Sequence, residues 1–258
     1  MAVVNVNPKG VVGLHLLQRA SGGHQSYRQT IKANRLFMVK EGIPSTLDQS
    51  PLAKAGGIVY RKSVFDKHEL DAIRNDCNKF KKSLTPELGQ SVATNRLGTA
   101  LPRTCNTYDI FETGSLNQLV KRVAGEDYEL SHHLPLEIRT YEKKGACMAW
   151  HADDVHYDPP QVEVVWCLEN DSDCSTLYKI GEKVEEIQTE PNAVLLIEAG
   201  GPTHCVTSLK RGSRTILKCA FSKRHAKYLD NVGGEQFKSI GSDRSQRKSR
   251  RKGRARKS

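Results

Sequence analysis

The feature that most constrains the fold is a succession of short, strand-like segments in the second half of the chain. Each segment is rich in Val, Ile, Leu and Thr, and Gly, Pro, Asn or Asp separates it from the next. Such short segments argue against a parallel α/β design and favour two antiparallel sheets wrapped into a jelly roll. Eight strands are predicted, near residues 135–142, 146–151, 162–168, 175–180, 184–189, 193–198, 204–208 and 213–221.

Helices are predicted before this series of strands. A strand over 57–65 comes first, and Asp66 is a candidate N-cap for the helix that follows. The apolar face of that helix repeats every three or four positions, at Leu70, Ile73, Cys77 and Phe80. A second helix is predicted over 115–124. Helices followed by strands indicate an α+β fold, a double-stranded β-helix (jelly roll) whose helices support one sheet.

The positive charge of the chain lies at its two ends. The net charge is +11; residues 1–40 contribute +6 and residues 238–258 contribute +9, which leaves −4 for residues 41–237. An argument for nucleic-acid binding therefore rests on the tail and not on the folded domain.

The composition predicts three segments. A basic leader and linker over 1–55 resembles an organelle transit peptide or an ordinary disordered leader. A jelly-roll domain is expected over 56–232, and a disordered basic tail over 233–258. For the tail, a nuclear address, an electrostatic clamp on nucleic acid and a solvated end all stay open.

The seven cysteines indicate the compartment. Their number is odd and no two have CxxC spacing, which is typical of reduced thiols and not of a disulfide framework. The N-terminus lacks the order of a secretory signal, and no run approaches the roughly 20 apolar residues of a membrane span. We therefore expect an intracellular protein without a membrane span, in the nucleus, the cytosol or an organelle.

Two histidines and one carboxylate form a candidate metal site. His151 and Asp153 are two residues apart, and on an extended chain both project to the same face. This pair alone is weak evidence, because a His-x-Asp arises easily by chance in a chain with nine His. His204, after a Gly-Gly-Pro turn, adds a second imidazole. Two His and one carboxylate make the facial triad of non-haem iron(II) oxygenases, whereas each His alone is more often a polar core residue.

Two further residues are candidates for binding an oxo-acid. Arg214 follows His204 by ten residues, and its planar guanidinium suits the carboxylate of a buried ligand. Tyr141 precedes His151 by ten residues and could donate a phenolic hydrogen bond to the same group. Each alone has a plainer interpretation, a surface strand Arg or a sheet residue. The joint order and spacing favour the oxygenase.

Longer motifs surround these five residues. They are Arg139-Thr-Tyr-Glu-Lys-Lys-Gly145, His151-Ala-Asp153, Pro191-Asn-Ala-Val-Leu-Leu-Ile197 before His204, and Gly212-Ser-Arg214. Together they resemble the prolyl 4-hydroxylase branch of the 2-oxoglutarate/iron(II) dioxygenases, over roughly residues 57–222.

This resemblance implies a set of roles. His151, Asp153 and His204 would bind Fe(II). Arg214 and Tyr141 would bind the 5-carboxylate of 2-oxoglutarate, and ascorbate would be the usual reductant. One departure is the Gly-Gly-x-Thr segment usual in the middle of the barrel, which reads Asp173-Cys-Ser-Thr-Leu177 here. A different wall on the substrate side is therefore expected.

The predicted activity is hydroxylation of a C–H bond. A prolyl residue of a protein or peptide is the first choice of substrate, by analogy alone. A nucleic-acid demethylase of the same superfamily is the second choice, which the basic tail would suit. Repair enzymes of that kind place a second Arg six residues after the cosubstrate Arg, where Ala220 stands here. The third hypothesis is a non-catalytic jelly-roll binding module, against which the complete triad argues.

Overall fold

The computed structural model describes residues 50–87 and 92–229. Its strands are β1 (Ile58–Arg61), β2 (Thr85–Pro86), β3 (Ala93–Thr94), β4 (Leu97–Ala100), β5 (Tyr128–Leu130), β6 (Glu137–Tyr141), β7 (Cys147–His151), β8 (Tyr157–Asp158), β9 (Val162–Asn170), β10 (Thr176–Ile180), β11 (Lys183–Ile187), β12 (Val194–Glu198), β13 (His204–Val206), β14 (Arg214–Lys223) and β15 (Lys227–Tyr228). Its helices are α1 (Pro51–Lys54), α2 (Lys67–Phe80), α3 (Asn106–Thr113) and α4 (Ser115–Ala124), with a 3-10 turn at Lys81–Ser83.

The strands form two main sheets in which neighbouring strands are antiparallel. The major sheet has the order β1-β12-β9-β14-β6-β4-β2, and β5 pairs with the far end of β14. The minor sheet has the order β11-β10-β13-β7-β3, and β8 and β15 form a separate two-stranded ribbon. The predicted jelly-roll α+β fold is confirmed, and the eight predicted strands correspond to β6, β7 and β9 to β14.

The major sheet is buried on both of its faces. On β12, Val194 and Leu196 pack in the cluster that the sheet shares with the helices. Leu195 and Ile197 point the other way and pack in a second cluster. Because both faces of this strand need apolar side chains, its sequence is an unbroken apolar run and does not alternate.

Helix α2 begins where the sequence predicts it. The Asp66 carboxylate accepts a hydrogen bond from Glu69 N (2.8 Å), and the Glu69 carboxylate accepts one from Asp66 N (3.2 Å), which completes a capping box. Helix α4 has the predicted bounds. The helices cover the outer face of the major sheet, where Phe65 meets the ring of buried Trp166 edge-on at 5.0 Å.

Some elements differ from the sequence prediction. Residues 51–54 form a helical turn where a linker was expected, because Ser50 caps it and Leu52 is buried in the core. Helix α3 was not predicted; its N-cap residue, Cys105, makes no capping hydrogen bond with its side chain, so the sequence carries no local start signal. The other unpredicted elements are strands of two to four residues, which are too short to show a period.

Residues 1–49 of the predicted leader and linker and the whole predicted tail over 233–258 lie outside the described residues, so the domain boundaries and the disorder of the ends stay predictions. Within the described residues, no helix is long and apolar enough to cross a membrane.

A buried carboxylate joins the first two long helices. Asp76 on α2 is 2% exposed and accepts hydrogen bonds from the Thr107 backbone N and Oγ1, both at 3.0 Å, at the start of α3. Burial alone would raise the pKa of Asp76, but Lys79 and Thr107 outweigh burial, and the pKa lies below its usual range. The carboxylate therefore stays charged and fixes the angle between the helices.

Replacing Asp76 with Ala is expected to lower the free energy of unfolding by about 1–3 kcal/mol, because the buried Thr107 donors lose their acceptor. Chemical denaturation of the full chain measures this change. Asp71→Ala is the matched control, since Asp71 lies on the exposed side of the same helix. An equal loss in the two variants would contradict the role given to Asp76.

Candidate active site

Two neighbouring strands of the minor sheet bring the two candidate histidines together. Strands β7 and β13 are antiparallel, and His151 and His204 are directly opposite each other. Their ring centroids are 4.3 Å apart. Residues that are opposite each other in a sheet share a face, so both imidazoles project to the same side.

A β-bulge sets the direction of His151. Between Met148 and His151 strand β7 advances three residues, whereas its partner β13 advances two, from Val206 to His204. Without the extra residue, positions 148 and 151 would face opposite sides of the sheet. With it, Met148 lines the cavity between the sheets while His151 still meets His204. The bulge also leaves Trp150 42% exposed.

Asp153 completes the cluster from the segment that follows β7. Its Oδ1 lies 3.9 Å from His151 Nε2, and its Oδ2 lies 3.5 Å from His204 Nε2. Each of the three residues offers one ligand atom, and these three atoms lie within 4.8 Å of one another. The segment is anchored by a hydrogen bond from Gly200 N to the Asp153 carbonyl (2.9 Å).

Backbone carbonyls orient both imidazoles. His151 Nδ1 lies 2.9 Å from the Ala149 carbonyl, and His204 Nδ1 lies 3.2 Å from the Pro202 carbonyl. A carbonyl only accepts, so each Nδ1 carries a proton, and in the neutral form of each ring Nε2 is the nitrogen with the lone pair. Burial and the neighbouring His204 lower the pKa of His151, which favours the neutral form that binds metals.

Lys218 on β14 holds one oxygen of Asp153. Its Nζ donates to Asp153 Oδ1 at 2.7 Å and lies 3.3 Å from Glu163 Oε2. Burial alone would raise the pKa of Asp153, but the charge and hydrogen bond of Lys218 outweigh burial and lower it. The two carboxylates raise the pKa of Lys218 to about 12. The carboxylate is thus ionised and its orientation is fixed.

The predicted anion-binding residues lie in the same cavity between the sheets. Arg214 is 1% exposed, and its Nη1 donates to Thr176 Oγ1 at 3.3 Å. The ring of buried Tyr141 lies 5.8 Å from Arg214 Cζ. Strands β6 and β14 place the two residues directly opposite each other. All five predicted site residues therefore meet at one cavity or at its metal cluster.

The cavity has polar residues that the sequence analysis missed. Arg139 lies two positions before Tyr141 on β6, and Lys218 lies four positions after Arg214 on β14. The two-residue period of a strand would have placed both on the cavity face. Thr176, in the segment 173–177 that stands where Gly-Gly-x-Thr is usual, lines the cavity as well, and so does Arg96, which no local signal in the sequence marks.

Two unsatisfied buried atoms show what the cavity can hold. Asp153 Oδ2 and Arg214 Nε are buried and have no hydrogen-bond partner among the described residues. A divalent cation would be bound by Oδ2 and the two Nε2 atoms, a donor set that suits non-haem iron(II). A ligand carboxylate would accept hydrogen bonds from the Arg214 guanidinium. The residues present thus fit a metal ion together with an anionic cosubstrate.

Comparison with protein-family models gave no match, and a sequence comparison with curated proteins gave none either. Solved structures do share the fold. A prolyl-4-hydroxylase from Pseudomonas putida is 15% identical, with a TM-score of 0.53 over 67% of this chain and 95% of that chain. A prolyl hydroxylase from Trichoplax adhaerens, in complex with a peptide fragment of a hypoxia inducible factor, is 13% identical, with a TM-score of 0.53 over 67% of this chain and 86% of that one.

A third similar structure has a different activity. The non-heme alpha ketoglutarate dependent epimerase SnoN, from nogalamycin biosynthesis, is 12% identical, with a TM-score of 0.58 over 72% of this chain and 88% of that one. Identities this low show the fold and not the substrate. The chain therefore has the fold of the 2-oxoglutarate/iron(II) oxygenases, and its His-Asp-His cluster fits the metal site of that superfamily.

Proposed function

We propose that the chain is an Fe(II)- and 2-oxoglutarate-dependent dioxygenase that hydroxylates a C–H bond. His151, Asp153 and His204 bind the metal, and Arg214 and Tyr141 bind the 5-carboxylate of 2-oxoglutarate. The observation that carries the proposal is one cavity that contains a three-ligand cluster and a buried guanidinium whose Nε has no partner among the described residues. A binding module has no need of either.

The overall reaction converts 2-oxoglutarate and O₂ to succinate and CO₂ while one oxygen atom enters a substrate C–H bond. Bound Fe(II) supplies the activation of oxygen, which no side chain can supply. The chain itself contributes orientation, because the cluster presents three donor atoms to one ion and leaves its remaining positions open. Ascorbate is the expected reductant.

The cavity walls keep the site apart from water. Leu195, Ile197, Val206 and Ile216 line it from both sheets, and each is at most 7% exposed. In such surroundings a guanidinium–carboxylate pair is stronger than in water. The cosubstrate is thus fixed by charge at one end of the cavity.

A prolyl residue of a protein or peptide is the proposed substrate. Two of the similar structures named above are prolyl hydroxylases, and one of them has a peptide bound. A nucleic-acid substrate is the alternative, which the basic residues of the tail would favour. At the position of the second Arg of repair demethylases the chain has Ala220, 1% exposed on β14.

Purified full chain with Fe(II), ascorbate and 2-oxoglutarate is expected to release succinate, and proline-containing peptides should increase the rate. His151→Ala and Asp153→Ala should abolish release, because each removes a metal ligand. Arg214→Met should raise the KM for 2-oxoglutarate about ten- to a hundredfold, as expected when a charged hydrogen bond is lost.

Arg211→Met is the control for that series, since Arg211 is an exposed Arg three residues before Arg214. It should leave the KM unchanged. Absence of turnover together with absence of iron-dependent binding of 2-oxoglutarate would refute the proposal and favour the binding module.

Lys218→Met should lower the free energy of unfolding of the metal-free protein by about 3 kcal/mol, because Asp153 loses its cation inside the protein. Co(II) should restore part of this loss by neutralising Asp153. Denaturation with and without Co(II) measures both effects. Lys143→Met, at an exposed lysine between β6 and β7, is the matched control. Equal stability of the two variants would contradict the role given to Lys218.

Deletion of residues 238–258 separates catalysis from binding. An oxygenase should retain its basal release of succinate, whereas any salt-dependent binding of nucleic acid through the tail should be lost. Succinate release and binding to a labelled oligonucleotide at two salt concentrations test the two properties independently. Loss of turnover on deletion would contradict the division of roles proposed for the domain and the tail.

A further inference from the structure

Arg96 enters the cavity from the place where the chain crosses between the two sheets. Strand β3 pairs with β7 in the minor sheet, and β4 pairs with β6 in the major sheet. Arg96 lies between β3 and β4, after Asn95, whose φ of 54° turns the chain. The side chain of Arg96 is 2% exposed and lines the cavity.

A buried carboxylate fixes the guanidinium of Arg96. Its Nε donates to Glu87 Oε2 at 2.9 Å, and its Nη2 donates to the same oxygen. The side chain of Glu87 is fully buried, and its Oε1 lies 3.6 Å from Arg139 Nε. Gly98 makes room for this arrangement, because a Cβ there would lie 2.5 Å from Glu87 Oε1. The packing around Arg96 therefore allows its guanidinium one position.

The remaining guanidinium nitrogen of Arg96 donates a hydrogen bond to Tyr141. Its Nη1 donates to the Tyr141 hydroxyl at 3.2 Å and to Met148 Sδ at 2.8 Å. A guanidinium only donates, so the phenol oxygen must accept from it and the phenol proton must go elsewhere. Among the described residues its acceptor is Met148 Sδ at 3.7 Å, which is a weak one.

The phenol proton is thus available to a ligand beside Arg214. Arg96 Cζ and Arg214 Cζ are both 5.8 Å from the Tyr141 ring centroid. Arg214 Nε is buried and has no partner among the described residues. A carboxylate oxygen that binds Arg214 would be the strongest acceptor within reach of the Tyr141 hydroxyl.

We propose that Arg96 is a positioning residue for the cosubstrate. By donating a hydrogen bond to the Tyr141 oxygen, it directs the phenol proton towards the 5-carboxylate of 2-oxoglutarate and so strengthens binding of that carboxylate. Arg96 acts through Tyr141 and does not itself bind the ligand. This inference rests on the proposed function, since it requires that Arg214 and Tyr141 bind 2-oxoglutarate.

A double-mutant cycle on cosubstrate affinity tests the proposal. The dissociation constant of 2-oxoglutarate is measured by titration calorimetry on the full chain loaded with Mn(II), for the wild type, Arg96→Met, Tyr141→Phe and the double variant. Tyr141→Phe and Arg96→Met should each weaken binding about tenfold. In the Tyr141→Phe background, Arg96→Met should add less than about threefold, because the hydroxyl through which it acts is gone.

A second cycle controls for loss of folding in the Arg96→Met variant. Arg96→Met leaves Glu87 with Arg139 alone, so the same cycle is repeated with Glu87→Gln added, which removes the buried charge together with its partner. Arg211→Met, an exposed arginine, should leave the affinity unchanged. A merely structural role for Arg96 would weaken binding equally in the presence and absence of the Tyr141 hydroxyl.

The outcomes separate the two proposals. Non-additive losses in the cycle support the positioning role. Additive losses, or full affinity in Arg96→Met, overturn it and leave the oxygenase proposal standing. If neither the wild-type chain nor His204→Ala binds 2-oxoglutarate in the presence of Mn(II), the proposed function is overturned, and the positioning role with it.

Discussion

The pairing of charges between the two sheets is the constraint on which the rest of the structure depends. Most of a jelly-roll interior is apolar, yet four cations line this cavity: Arg96, Arg139, Arg214 and Lys218. A lone buried charge destabilises a fold by several kcal/mol unless an opposite charge and hydrogen bonds satisfy it. Three of the four have buried carboxylate partners: Arg96 pairs with Glu87, Arg139 pairs with Glu137, and Lys218 pairs with Asp153, which lies 65 residues away in the chain. The Lys218–Asp153 pair therefore links β14 of the major sheet to the segment that follows β7 of the minor sheet.

Arg214 is the exception, and it makes the two ends of the cavity differ in the charge that they attract. Among the described residues its hydrogen-bond partner is a neutral hydroxyl, that of Thr176. Strand β14 carries Arg214 and Lys218 on one face, four residues or roughly 13 Å apart along the strand. One end of the cavity thus attracts an anion and the other end, beside Asp153, attracts a cation. A ligand with a carboxylate at one end and metal-binding oxygens at the other matches this polarity.

Much of what the sequence analysis predicted depends on patterns within single segments of the chain. The eight strands of the jelly roll follow from the composition of single segments and the turn residues between them, and the bounds of α4 follow from its helical period. The capping box at Asp66 is likewise a local signal. The prediction that His151 and Asp153 share a face came from simple strand geometry. In the structure β7 ends at His151 and Asp153 lies in the segment after it, and a bulge between Met148 and His151, which no pattern in the segment revealed, sets the direction of His151. Six strands of two to four residues were missed, because one alternation is not a period; β1 and β13 are as short but lie in longer strand-like segments of the sequence.

The sequence by itself determined the class of the fold, the order of its long elements and the five candidate site residues. These depend on side-chain spacing within segments and on the donor chemistry of each residue type. Only the tertiary structure decided which nitrogen of each histidine is free, that Lys218 pairs with Asp153, and that Glu87 fixes Arg96 beside Tyr141. The physical reason is that a hydrogen bond requires a partner within about 3 Å. Lys218 and Asp153 lie 65 residues apart in the chain, so the pairing of the strands decides that they meet.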